Sequence, residues 1–130
     1  MTRLQLSRVH ALAGANLWHS DQVLEAELRV DTPEMSAEAL GKALSEQFVF
    51  AGYARALPAG SGYPTVADGV ARAALALERV AGARVSYCGS RGPALAVEFE
   101  DEAMARPCLE AAARLCESVM RGETVDFAAL

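Results

Sequence analysis

At 130 residues, with 52% hydrophobic and 22% charged residues, the chain has the length and apolar content of one globular domain with a substantial core. Its net charge of −5 argues against a general phosphate-binding surface, because nucleic-acid affinity rests largely on Lys and Arg neutralising phosphates. No run approaches the roughly 18 to 20 apolar residues of a spanning helix, and the N-terminus has no signal-peptide core, so a soluble cytoplasmic protein that makes no membrane contact is expected.

In chain order, residues 4–11 are the first strand candidate and 23–30 the second. Leu24, Ala26, Leu28 and Val30 fall on one face of the second strand while Val23, Glu25, Glu27 and Arg29 fall on the other, the period-two pattern of a half-buried strand. Between the strands lies a small-residue turn, Gly14-Ala15-Asn16-Leu17-Trp18, and a hairpin fits this arrangement. Asp31-Thr32-Pro33-Glu34 then supplies turn chemistry, and Ser36 is a candidate N-cap. The helix that follows is predicted from Ala37 to the mid-50s on the spacing of Leu40, Leu44, Phe48 and Ala51, with Gly52 a possible early end. Pro58-Ala-Gly-Ser-Gly-Tyr-Pro64 reads as a loop, since its Gly and Pro residues break both periodicities.

The next helix is predicted over residues 65–81. It is Ala-rich and so short of polar positions that most of its surface should be covered, and Gly82 offers a C-terminal cap. Residues 84–88 and 94–99 are the last two strands, joined by Gly89-Ser-Arg-Gly-Pro93. Asp101 starts a final helix whose expected buried stripe is Met104, Cys108, Ala111, Leu115 and Val119, with Pro107 implying a late start or a kink. Strand pairs followed by helices predict an α+β domain: two layers, a mainly antiparallel sheet with helices on one face.

Three cysteines, Cys88, Cys108 and Cys116, lack Cys-x-x-Cys spacing and indicate neither a disulfide framework nor a zinc knuckle; they read as reduced, mostly buried small apolar residues. Eleven of the twelve basic residues are Arg, and only Lys42 is Lys. Arg pairs carboxylates in a planar, bidentate way, so an anionic or peptide ligand fits a local pocket despite the acidic total, although compositional bias also accounts for the count.

Several segments resemble the N-terminal domain of cyanophycin synthetase. The turn holding Asn16 and Trp18 is similar to a Gly-Pro-Asn-x-Trp segment that precedes a strand in that family. Val66 through Leu75-Ala-Leu-Glu-Arg-Val-Ala-Gly82, Ala96-Val-Glu-Phe-Glu-Asp-Glu-Ala103, Leu115-Cys-Glu and Val125-Asp-Phe follow in the family's order. The region from about Val49 to Thr65 lacks the longer Gly-rich and Arg-rich segment of the family, and the loop between Gly82 and Ala96 is shorter. The family's ATP-grasp and Mur-ligase-like parts have no room here, so the resemblance does not imply amino-acid polymerisation.

In many members of the resembled domain a helix carries His-x-x-Glu-His, similar to an inverzincin metal site with two His ligands and a Glu base. The matching residues here are Asp68-Gly-Val-Ala-Arg72, with Asp68, Ala71 and Arg72 at the three functional positions. A lone Asp68 does not hold zinc, and Arg72 repels a cation, so this metal chemistry is expected to be absent and no cofactor is implied. Arg72 either reaches the surface or pairs with Asp68 at i, i+4, or else it holds a ligand carboxylate.

His10 and His19 stand in no spacing that recruits a second catalytic group, so a packed or solvent-facing strand residue and a loop residue are expected. Ser90-Arg91-Gly92 is too short for a phosphate cradle, and Glu98, Glu100, Asp101 and Glu102 read as a solvated edge with favourable helix N-terminal charges. Trp18 is either a core plug with its N–H satisfied or part of a recognition surface.

These readings imply a non-catalytic binding or accessory module, with Asn16, Trp18, Arg72 and Arg91 as candidate binding residues. By resemblance, its partner is an Asp-Arg polypeptide or the amino-acid ligase machinery that handles it. Two alternatives remain: a residual hydrolase using other residues, and a structural interaction protein. Homodimerisation is expected through the sheet face or the helix over residues 65–81, since so apolar a chain carries more apolar surface than one modest core hides.

Overall fold

The computed structural model describes residues 1–45 and 65–125. Four strands and three helices run in the order β1 (Arg3–Leu12), β2 (Val23–Asp31), α1 (Ala37–Ser45), α2 (Val66–Val80), β3 (Cys88–Arg91), β4 (Ala94–Glu98) and α3 (Glu102–Met120). Every pairing in the sheet is antiparallel, and the spatial order is β1-β2-β4-β3. The helices pack on one face, α2 against β3 and β4 and α3 against β1, with α1 touching both helices. This is the expected two-layer α+β architecture.

The alternation in β2 sorts its residues as the pattern requires. Leu24, Ala26 and Leu28 are buried with Leu95 and Val97 of β4 and with Val70, Ala74, Leu109 and Cys116 of the helices, forming the main core. In β1 the pairing slips between Ser7 and His10, where two residues of β1 oppose one of β2 and Arg8 takes φ +53°. A bulge of this kind reverses the parity of every later residue. Leu4 and Leu6 therefore pack on the helix side, whereas His10, which simple alternation would send the same way, lies in register with the outward-facing Glu25.

Both long helices end in the same way. Gly82 (φ +101°) follows α2, its N–H bonding to the Arg79 carbonyl while the Ala83 N–H reaches the Glu78 carbonyl, the paired closure of a Schellman motif. Gly122 and Glu123 repeat that closure on Val119 and Ser118. Thr65, Ser36 and Asp101 cap the starts of α2, α1 and α3 by accepting from the Asp68, Ala39 and Ala103 N–H groups. α3 also fastens the edge of the sheet: Glu117 accepts the Leu4 N–H, and Arg121 donates to the Thr2 carbonyl.

Four expectations change. The third strand begins at Cys88 rather than Arg84, because the N–H groups of Ser86 and Tyr87 bond to the Glu98 carboxylate in place of a ladder partner. Gly89, Ser90 and Arg91 are strand rather than loop; Gly92 (φ +57°) and Pro93 alone make the turn, an arrangement that fits a type II′ hairpin. The stripe of α3 is rotated by one position, with Ala105, Leu109, Ala112, Cys116 and Met120 joining Leu115 in the core and Met104, Cys108, Ala111 and Val119 at its margin. Both sets are apolar at helical spacing, so periodicity alone did not separate them. Pro107 lies inside α3 and does not delay its start.

The predicted continuation of α1 beyond Ser45, with Phe48, Ala51 and Gly52, and the loop over residues 58–64 fall outside the described residues. α2 is covered as expected: Ala67, Gly69, Val70, Ala71, Arg72, Ala73, Ala74, Leu75, Leu77 and Glu78 are all buried. Of the two faces expected to carry a dimer, the helical one is therefore taken up by the chain's own core. Among the described residues the large exposed apolar side chains are Met1, Leu17 and Val80. No helix among them is long and apolar enough to cross a membrane.

Candidate functional site on the sheet face away from the helices

Cross-strand register sets out a row of residues on the face opposite the helices. His10 pairs with Glu25, Glu25 with Ala96, and Ala96 with Gly89, one residue from each of the four strands. Trp18 lies across this row. Its indole N–H donates to Glu25 Oε2, and a Cβ on Gly89 would sit 3.6 Å from its Cε3. The ring thus crosses over Ala96, which has no exposed surface although it belongs to no part of the helix-side core. Val23, equally buried and equally outside that core, lies two register positions away against Glu98.

Trp18 is therefore not a plug of the main core. It closes a small second cluster on the far face, half-buried, with its N–H satisfied. Arg91 sits over the same ring with its guanidinium carbon 5.4 Å from the centroid, a cation–π contact on an exposed side chain. Beside it the His19 imidazole stacks on Tyr87, centroids 4.4 Å apart and planes 4° from parallel. Burial, together with the neighbouring Cys88, raises the Tyr87 phenol above its ordinary range, while Arg91 lowers it in part.

Charge alternates along the rest of the face. Glu25 holds His10 Nε2 at 3.1 Å, Glu27 lies 3.6 Å from Arg8, and Asp31 lies 3.1 Å from Arg29. These are solvent-accessible pairs, each contributing little to stability, whose partners can be exchanged for those of a ligand.

Asn16 organises the loop that delivers Trp18. Its Oδ1 accepts the N–H groups of Trp18 and His19, its Nδ2 donates to the carbonyls of Gly14 and Asp21, and its own N–H reaches the His19 carbonyl. With both ends of the amide engaged, Asn16 positions its neighbours.

Arg72 stands elsewhere. It is 4% exposed on the helix side, so it does not reach the surface, and its Nη2 lies 2.8 Å from Asp68 Oδ2. Burial raises the Asp68 carboxyl more than Arg72 and the Ser90 hydroxyl lower it. The geometry matches the i, i+4 pair read from the sequence. Cys88 adjoins this pair, and burial pushes its thiol up to about 12, as it does that of Cys116. A thiol so held stays protonated and is a poor nucleophile.

The structure thus brings Trp18 and Arg91 together, with Asn16 behind them, and separates Arg72 from all three. Spacing in the sequence gave no sign of Glu25, Gly89 and Tyr87 as their neighbours. The one available signal was the outward phase of Glu25 in β2, which fixed its side of the sheet but not what it met there. Searches with protein-family models and among curated proteins find no match to this chain.

Proposed function

We propose that this protein is a small, non-catalytic binding module, a divergent stand-alone relative of the cyanophycin synthetase N-terminal domain, that takes an Asp-Arg polypeptide on the sheet face away from the helices. The observation that carries this reading is the exposed Arg91 guanidinium stacked on Trp18 beside the Glu25 carboxylate. A chain bearing both carboxylates and guanidinium groups needs a surface offering both signs. Arg91 and Arg8 suit its Asp side chains, and Glu25 and Glu27 suit its Arg side chains.

The absence of catalysis is part of the same proposal. It is supported by the buried Asp68–Arg72 pair standing at positions where the resembled family carries metal ligands, and by the protonated state of Cys88.

Trp18 is the single Trp of the chain, so its fluorescence reports this face alone. Titration with Asp-Arg polymer should give a saturable fluorescence change that weakens as salt is raised and is lost in Arg91→Ala. A flat titration overturns the proposed ligand. Shortening of the polymer during incubation overturns the non-catalytic reading in favour of a hydrolase.

A second reading, a homodimer or an amino-acid ligase docked on the same face, is favoured by Leu17, which is 92% exposed next to Trp18. Light scattering tests it: a mass of two chains that falls to one in Leu17→Asp supports self-association.

A further inference from the structure

The loop that carries Trp18 gathers a separate set of groups at the end of β4. One ligand atom each from His19, Asp21 and Glu98, an imidazole nitrogen and two carboxylate oxygens, all lie within 4.8 Å of one another. We propose that these three side chains form a binding site for one divalent transition-metal ion, and that the ion is zinc. The site is distinct from the α2 positions of Asp68, Ala71 and Arg72 and does not depend on the polymer-binding reading.

The donor set fits that class of ion. Imidazole nitrogen with carboxylate oxygen is a borderline set that zinc accepts, whereas calcium and magnesium call for oxygen alone. Donor atoms around a tetrahedral zinc at about 2.1 Å stand roughly 3.4 Å apart. His19 Nε2 and Asp21 Oδ2 are already 3.9 Å apart, so closure requires a small movement. Asp21, with its side chain 69% exposed, is free to make it.

The two remaining donors are held from behind, as metal ligands commonly are. The His19 ring is fixed by its stack on Tyr87, and the His19 N–H and Asp21 carbonyl are both bound by the Asn16 side chain. Glu98 Oε1 accepts the Ser86 and Tyr87 N–H groups at 2.8 and 3.1 Å, which orients the carboxylate and leaves Oε2 outside those bonds. Asp21 and Glu98 also line an open hollow of about 310 Å³ with Gly14, Gln22, Arg84 and Glu100. Three carboxylates against one guanidinium make that hollow electronegative and give an ion a route in. The neighbouring His10–Glu25 pair lacks these properties, because it has a single carboxylate that is already bonded to Trp18.

The test is titration of tag-free, reduced protein with zinc alone, read by calorimetry. One equivalent should bind with micromolar affinity. Asp21→Asn and His19→Gln should each weaken binding about tenfold or more, while Asp31→Asn, at a carboxylate far along β2, should not. Cobalt(II) bound at the same stoichiometry should show no thiolate charge-transfer band, which separates this site from the cysteines. No saturable binding, a thiolate band, or binding unchanged in both variants overturns the proposal. If His19→Gln does not fold, Asp21→Asn, altered at an exposed side chain, decides the matter.

Discussion

Trp18 donates its indole N–H to Glu25, seven residues further along the chain, and in doing so lays its ring across the neighbouring strand onto Gly89. The loop is thereby tied to the sheet face through a side chain rather than through a ladder. Removing the ring uncovers Ala96 and, among the described residues, leaves Glu25 with His10 as its close side-chain partner. Because Trp18 is half-buried, Trp18→Ala should destabilise by about 2 to 3 kcal/mol, below the range of a fully buried aromatic. Trp18→Phe, which keeps most of the area and loses the N–H, should cost about 1 kcal/mol. Urea unfolding followed by circular dichroism checks both, and a loss above that of core Leu109→Ala would return Trp18 to a core role.

The Asp68–Arg72 pair makes the opposite kind of prediction, since both groups are taken out of water together. Asp68→Ala leaves a guanidinium buried beside a methyl group and should cost about 3 kcal/mol, whereas the double variant Asp68→Ala/Arg72→Leu should recover most of that loss. A double-variant cycle on the unfolding midpoint measures the coupling. Additive losses would show that the pair contributes nothing as a pair.

The contrast between these two residues shows where the sequence was legible. The Asp68–Arg72 contact is local, one helical turn, and its spacing offered the pair as one of three readings of Arg72. Trp18, Glu25 and Gly89 meet only through the sheet order β1-β2-β4-β3 and its register, which alternation within single strands does not encode. The architecture was legible because strand alternation and helix caps are local signals. The outward turn of His10 was not, because it hangs on one bulge at Arg8, whose positive φ no residue type there announces. The start of β3 was missed for a related reason: the Glu98 side chain satisfies backbone N–H groups that a strand would otherwise pair.

Gly82 gives a backbone test. Its φ of +101° is one that side-chain-bearing residues rarely adopt, and a Cβ there would meet nothing within 4 Å, so any loss on substitution is conformational and not steric. Gly82→Ala should lower stability by about 1 kcal/mol or more, measured by thermal unfolding. No loss would mean that the closure on Arg79 and Glu78 tolerates a different backbone.

Glu78 makes the pH dependence of the fold. It is 1% exposed, its Oε1 has no hydrogen-bond partner among the described residues, and burial, with a smaller repulsion from Glu98, raises its carboxyl from 4.5 to about 8. The folded chain therefore binds a proton there that the unfolded chain has already released above pH 4.5. Stability from this group is fully present below that value, declines as pH rises, and levels off once pH passes about 8, where the folded carboxyl also ionises. The limiting slope is about 1.4 kcal/mol per pH unit, and the whole effect amounts to a few kcal/mol. Glu78→Gln keeps the shape without the ionisation, so it should flatten the decline and make the variant the more stable protein at the alkaline end. Urea midpoints for both proteins across pH 5 to 8.5 provide the measurement. Parallel profiles would place the buried proton on a different group, Asp68 being the next raised carboxyl.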